Sequence, residues 1–150
     1  MKTIFDATIR QQILTRLDRL APDTPARWGK FTATKMLMHV NDAMRMALDE
    51  ITPKARPSFL RKPVVKFLII YVLPFPKGAP TAPELLARGK AGEVDLSAER
   101  ITFRELLGRV AAREGGAKWP EHPAFGPMTR GNWGVLGYKH TDHHWRQFGI

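Results

Sequence analysis

The sequence predicts an all-α fold built on four principal helices. Three observations point there: apolar residues recur at helical spacing in four separate stretches, a capping residue precedes each stretch, and no pair of alternating runs suggests a β-hairpin. A chain of 150 residues suits one domain, residues 1–150, around a single core.

Asp6 caps a first helix running to about Leu20, in which Ile9, Ile13, Leu14, Leu17 and Leu20 share one face while Arg10, Arg16 and Asp18 point away. "APDTPARWGKFTA" breaks it. Thr32 or Thr34 opens a second helix to about Glu50, with an inner stripe of Met36, His39, Val40, Ala43 and Ala47, so that His39 is expected to face inward. From Ile51 to Leu96 the pattern is irregular, with proline-rich runs such as "LPFPKGAPTAP". Within it "VVKFLIIYVLPF" is strongly apolar. About a dozen residues fall short of the roughly 20 that a bilayer span needs, and Lys66 interrupts them, so a buried or semi-buried short helix is expected. Ser97 or Asp95 opens a third long helix to about Glu114, with Ile101, Phe103, Leu106, Leu107, Val110 and Ala111 on its apolar side. After the loop "GGAKWPEHPAFGPM", Thr129 caps the last helix, whose Trp133, Leu136, Gly137, His140, His144 and Phe148 share a face.

Composition narrows the chemistry. The chain has no cysteine, which excludes disulfides, thiolate ligands and a thiol nucleophile of its own, and "MKTIFDATIRQQ" contains no apolar leader, so a cytoplasmic protein is expected. Twenty-four basic residues against 14 acidic ones give a net charge of +10, which attracts anions of many kinds. The basic residues of "LTRLDR", "KARPSFLRK" and "RGKAG" are spread as on solvated faces, and no nucleic-acid-binding motif accompanies them, so nucleic acid is not the expected partner.

The closing stretch "YKHTDHHWRQFGI" holds three of the five histidines. At about 100° per residue His140 and His144 lie about 40° apart on the helix surface, while His143 is about 100° from His144 and flanks the pair. Two imidazoles one turn apart can aim one nitrogen each at a single ion. His39, polar in the apolar stripe of another helix, supplies a third. Three neutral imidazoles suit zinc, nickel or iron(II). His122, before Pro123, reads as a turn or packing residue. Asp42, Asp142 and His143 are candidates for orienting the ligand rings from behind. An H-E-x-x-H zinc protease is excluded because Thr141 follows His140 where the glutamate would stand.

The combination "ARWGKFTATKMLMHVNDAMRMAL" near the start and "HPAFGPMTRGNWGVLGYKHTDHHWRQFG" at the end resembles an uncharacterised branch of the DinB-like (DinB/YfiT) metalloenzyme superfamily. The resemblance implies a four-helix bundle of up-down-down-up topology with a long crossover between helices two and three, where the proline-rich segment stands. It also implies a metal triad of one histidine on helix two and an H-x-x-x-H pair on helix four, which falls on His39, His140 and His144. Some members of that superfamily are thiol-dependent S-transferases. The expectation is therefore a divalent-metal-dependent enzyme that uses a low-molecular-weight thiol and a small electrophile. Metal-dependent hydrolysis is the alternative, and a non-catalytic basic binding or structural protein, associating as a homodimer through the apolar crossover, is the third reading.

Overall fold

In a computed structural model, which describes residues 1–55, 58–77, 95–114 and 116–150, each long helix begins at a side chain that closes its first turn. Asp6 accepts from the amides of Thr8 and Ile9 and opens α1 (Ala7–Leu17). Thr32 accepts from the amide of Lys35 and opens α2 (Ala33–Ala47). A short 3₁₀ turn (Phe59–Arg61) leads into α3 (Pro63–Phe67), which continues as one π-helical turn (Leu68–Val72). Asp95 accepts from the amide of Ser97 and opens α4 (Leu96–Ala112). Thr129 and Asn132 cap each other's backbone reciprocally at the start of α5 (Arg130–Gln147). Such caps answer amides that the helix itself leaves without partners, which is why they can be read locally.

The fold is all-helical, and no strand occurs among the described residues. α2 ends where Asp49 enters the left-handed region at φ 68°, a conformation that aspartate tolerates better than most residues. α2 packs against α4 and α5, and α1 packs against the same two helices. Between them lie Ile13, Leu17, Met36, Val40, Phe103 and Trp145, all essentially inaccessible to water. The Trp145 indole donates to the carbonyl of Ile13 at 3.0 Å, so the largest buried side chain also ties α5 to α1. No helix among the described residues is long and apolar enough to cross a membrane. Residues 78–94, the middle of the expected crossover, lie outside the described residues, as do 56, 57 and 115.

One expectation about faces changes and a second is met only on one side. On α4 the expected apolar side included Ile101, which is 68% exposed, whereas Glu99 is buried. The reason is a polar tie: the Asn41 amide of α2 donates to both the carbonyl and the carboxylate of Glu99, at 3.0 and 2.7 Å, turning that residue inward. The apolar stretch from Val64 onward was expected to be buried or semi-buried, and it is so on one side: Ile70 is buried and Val65, Ile69 and Tyr71 are half-buried, whereas Val64, Phe67, Leu68 and Val72 are exposed. Those four face solvent because the helix is apolar on both sides and packs only one of them on the core.

Candidate metal centre

α2 brings His39 and α5 brings His140 and His144 to one place between the two helices. The Nε2 atoms of His39 and His140 are 2.9 Å apart, those of His140 and His144 3.2 Å, and one ligand nitrogen from each ring lies within 4.8 Å of the others. The rings stand nearly perpendicular to one another, His39 to His140 at 89° and His140 to His144 at 80°, so their edges rather than their faces converge. His39 and His144 are buried, and His140 is half-buried.

The proton on His144 is fixed by its surroundings. The Trp28 carbonyl can only accept, so the Gln147 amide nitrogen must face it, and does at 2.7 Å. That leaves Gln147 Oε1 against His144 Nδ1 at 2.8 Å. An amide oxygen only accepts, so Nδ1 carries the hydrogen and Nε2 presents a lone pair to the centre. Gly29 allows this arrangement, because a Cβ there would lie 2.7 Å from Gln147 Nε2, and its φ of +79° is one that glycine adopts without strain.

This donor set fits a cation. A tetrahedral ion about 2.0–2.2 Å from each nitrogen holds its ligands about 3.3–3.6 Å apart, close to the spacing of the two closer pairs. A single N–H on His140 could serve only one of its two neighbours, whereas a cation satisfies all three lone pairs together. Electrostatics agree: burial, then the fields of His144 and His39, holds His140 well below its ordinary pKa. Burial likewise takes His144 to about 3, against the opposing pull of Gln147. Both imidazoles are neutral near pH 7 and ready to ligate without losing a proton.

Aromatic rings wall the cluster. Phe31 stacks on His39 with centroids 5.4 Å apart and meets His144 edge-on at 5.9 Å. Phe75 lies 6.1 Å from His140 and 5.9 Å from His143. His143 turns aside from the three, half-buried against Trp28 at 5.7 Å, and burial lowers its pKa. Lys139, one residue before His140, donates to the carbonyls of Ile69, Ile70 and Leu73 at 2.6, 3.1 and 2.5 Å, fastening the end of the π turn that leads to Phe75.

Both candidate carboxylates are held by arginines. Asp42 is buried and accepts from Arg45 at 2.9 Å. Asp142 accepts from Arg16 of α1 at 2.7 Å and from Arg146 at 2.8 Å. His122 lies in the loop before α5, where its Nδ1 accepts from the amides of Ala124 and Phe125, and burial lowers its pKa to about 4. Sequence reasoning missed Gln147, Phe31, Phe75 and Trp28. Gln147 carries a usable signal, standing three residues after His144 on the same helix face. The aromatic residues carry none, since only the folded loops bring them to the centre.

Residues 4–149 match a family described as protein of unknown function DUF1569, and the chain belongs to that family. No curated protein and no solved structure matches it.

Proposed function

We propose that this member of the DUF1569 family is a divalent-metal-dependent enzyme in which His39, His140 and His144 hold the ion and leave a position for a small-molecule substrate. The convergence of their ring nitrogens, at 2.9 and 3.2 Å with Phe31 and Phe75 against the rings, carries the reading. Zinc, nickel and iron(II) all suit three neutral imidazoles. A cation bound there would lower the pKa of a thiol or a water and so supply a nucleophile at neutral pH.

The chain's own residues then have distinct tasks. Phe31 and Phe75 keep bulk water from the ligand edges. Gln147 holds the His144 ring in its ligating tautomer. His143, held neutral by burial at the rim, can accept the proton released when a substrate is deprotonated. Because the chain lacks cysteine, a thiol would enter as a co-substrate, a low-molecular-weight thiol transferred to a small electrophile. Metal-dependent hydrolysis is the second reading. Engagement of Asp42 by Arg45, and of Asp142 by Arg16 and Arg146, weighs against it by occupying the carboxylates nearest in sequence to the histidines. The same proposal takes α1, α2, α4 and α5 as an up-down-down-up bundle of the DinB-like kind, supported by the contacts of α1 and α2 with both α4 and α5.

Elemental analysis of untagged protein tests the metal: about one ion per chain is expected, and no retention of zinc, nickel or iron(II) after loading refutes the reading. Cobalt loading tests the thiol. A sulfur-to-metal charge-transfer band should appear with members of a broad panel of small thiols and not with the matching alcohols. Without that band or metal-dependent turnover, the S-transferase reading falls.

A further inference from the structure

The helical stretch from Pro63 to Val72 is apolar on two opposite faces, and the described residues cover only one of them. Its inner face is anchored by Ile70, fully buried, by Lys66 donating to the Pro127 carbonyl at 2.6 Å, and by Lys139 on the carbonyls of Ile69 and Ile70. Its outer face carries Val64, Phe67, Leu68 and Val72, which are 69, 56, 38 and 59% exposed. With Tyr71, whose ring lies 5.3 Å from that of Phe67, these fall at i, i+3, i+4, i+7 and i+8, a continuous stripe. Phe59 and Leu73, also exposed, extend it at either end. Beside it a cleft of about 320 Å³ is lined by Met1, Val72, Leu73, Pro74 and Tyr138. Single exposed apolar side chains are ordinary, but a contiguous stripe marks a surface that something covers.

Charge identifies the occupant. Between Glu50 and Glu84 the sequence contains no acidic residue, while Lys54, Arg56, Arg61, Lys62, Lys66 and Lys77 all fall there. Lys62, at the start of α3, is exposed beside the stripe, as is Lys54 earlier in the chain, while Arg61 lies 3.9 Å from Glu121 and Lys77 lies over the Trp28 ring at 4.6 Å. A second copy of the chain would bring two exposed Lys62 side chains and two net charges of +10 against each other. An anionic surface meets no such repulsion.

We propose that this stripe docks the protein on an anionic lipid bilayer, with Val64, Phe67, Leu68 and Val72 entering the interface and Lys62 meeting headgroup phosphates. The stripe is presented already folded, since Ile70, Lys66 and Lys139 hold its back, so docking costs little ordering of the chain. This inference does not rest on the metal reading.

Co-sedimentation of the full chain with vesicles tests it. Vesicles of phosphatidylcholine with about one-third phosphatidylglycerol should bind at least about ten-fold better than phosphatidylcholine alone, and added salt should weaken the binding. Phe67→Ser, which leaves the charge unchanged, should lose about ten-fold. Lys62→Glu should lose roughly five-fold or more. Lys35→Glu, an equal charge reversal on exposed α2 surface, should lose less than Lys62→Glu, and unchanged melting would show that each variant is folded. Failure to bind the anionic vesicles overturns the proposal, as does binding that Phe67→Ser leaves intact, which would be adsorption by net charge. Sedimentation of a dimer that Phe67→Ser dissociates, without vesicle binding, would assign the stripe to a second copy instead.

Discussion

Replacing Gln147 by leucine should weaken metal binding although Gln147 itself would hold no metal. The wild-type side chain bridges the Trp28 carbonyl, at 2.7 Å, and His144 Nδ1, at 2.8 Å, and this bridge keeps the His144 Nε2 lone pair aimed at the centre. Leucine removes the acceptor, so the ring can carry its proton on Nε2 and swing. Loss of such an outer partner lowers metal affinity about 10- to 100-fold, or about 1.4–2.7 kcal/mol. It also leaves the part-buried Trp28 carbonyl without its donor, which costs about 1–3 kcal/mol of stability in the metal-free protein. Gln147→Glu separates the two effects. Its carboxylate still accepts from Nδ1, so affinity should hold or rise, but it cannot donate to Trp28, so stability should fall. Titration against a competing chelator reads the first quantity, and chemical denaturation of metal-free protein reads the second. Unchanged affinity in a folded leucine variant would refute the orientation argument, and an equal affinity loss in the glutamate variant would refute the tautomer assignment.

Alanine at His39, His140 or His144 should each abolish tight metal binding, whereas His143→Ala should retain metal and slow turnover; equal metal losses at all four positions would show the ligand set to be wrong. Metal-free protein should lose stability as pH falls below about 6.5, because His144 and His122 are held neutral by burial down to about 3 and about 4, and the unfolded chain takes up protons first. At about 1.4 kcal/mol per pH unit for each histidine, the two together cost about 4 kcal/mol between pH 7 and pH 5, and a flat series of denaturation midpoints would contradict this. Two helical glycines should respond oppositely to alanine. At Gly134 a Cβ runs into Thr3 Oγ1 and the Phe5 ring, so overpacking of about 1–3 kcal/mol should outweigh the helix-propensity gain. At Gly108 nothing lies within 4 Å, and alanine should stabilise by up to about 1 kcal/mol; melting of both variants decides.

Helix starts were legible because each is settled within four residues: Asp6, Thr32, Asp95 and Thr129 bond to amides that follow them closely in the chain. The convergence of His39, His140 and His144 was legible for a related reason, since i, i+4 spacing and an inward stripe are properties of single helices. What escaped depends on distant partners. Glu99 looks like a solvent residue until Asn41 of another helix answers it. Ile101 looks like core, yet it is left outside once Glu99 is inside. Phe31 and Phe75 lie in loops without periodicity, and only the folded chain sets their rings beside His39 and His140.

The buried polar residues of α2 explain how a helix with core on nearly every side points one histidine at a site. Met36, Leu37, Met38, Val40 and Met44 are all buried, so apolar packing alone distinguishes poorly among rotations of this helix about its axis. Asn41 removes that freedom. It follows His39 by two residues, about 200° around the helix, and its amide binds Glu99 of α4. With Asn41 fixed toward α4, His39 is turned to the opposite side, where α5 presents His140 and His144. On α5 the Asp142 carboxylate does the same from behind, bonded to Arg16 of α1. A one-residue rotation of either helix would swing a histidine about 100° away and leave a polar group without its partner. Buried polar ties contribute modestly to net stability, because desolvation offsets much of their attraction, but they penalise every wrong rotation. The placement of the three histidines is thus set by Asn41–Glu99 and Arg16–Asp142, contacts made on the far sides of the helices that carry them.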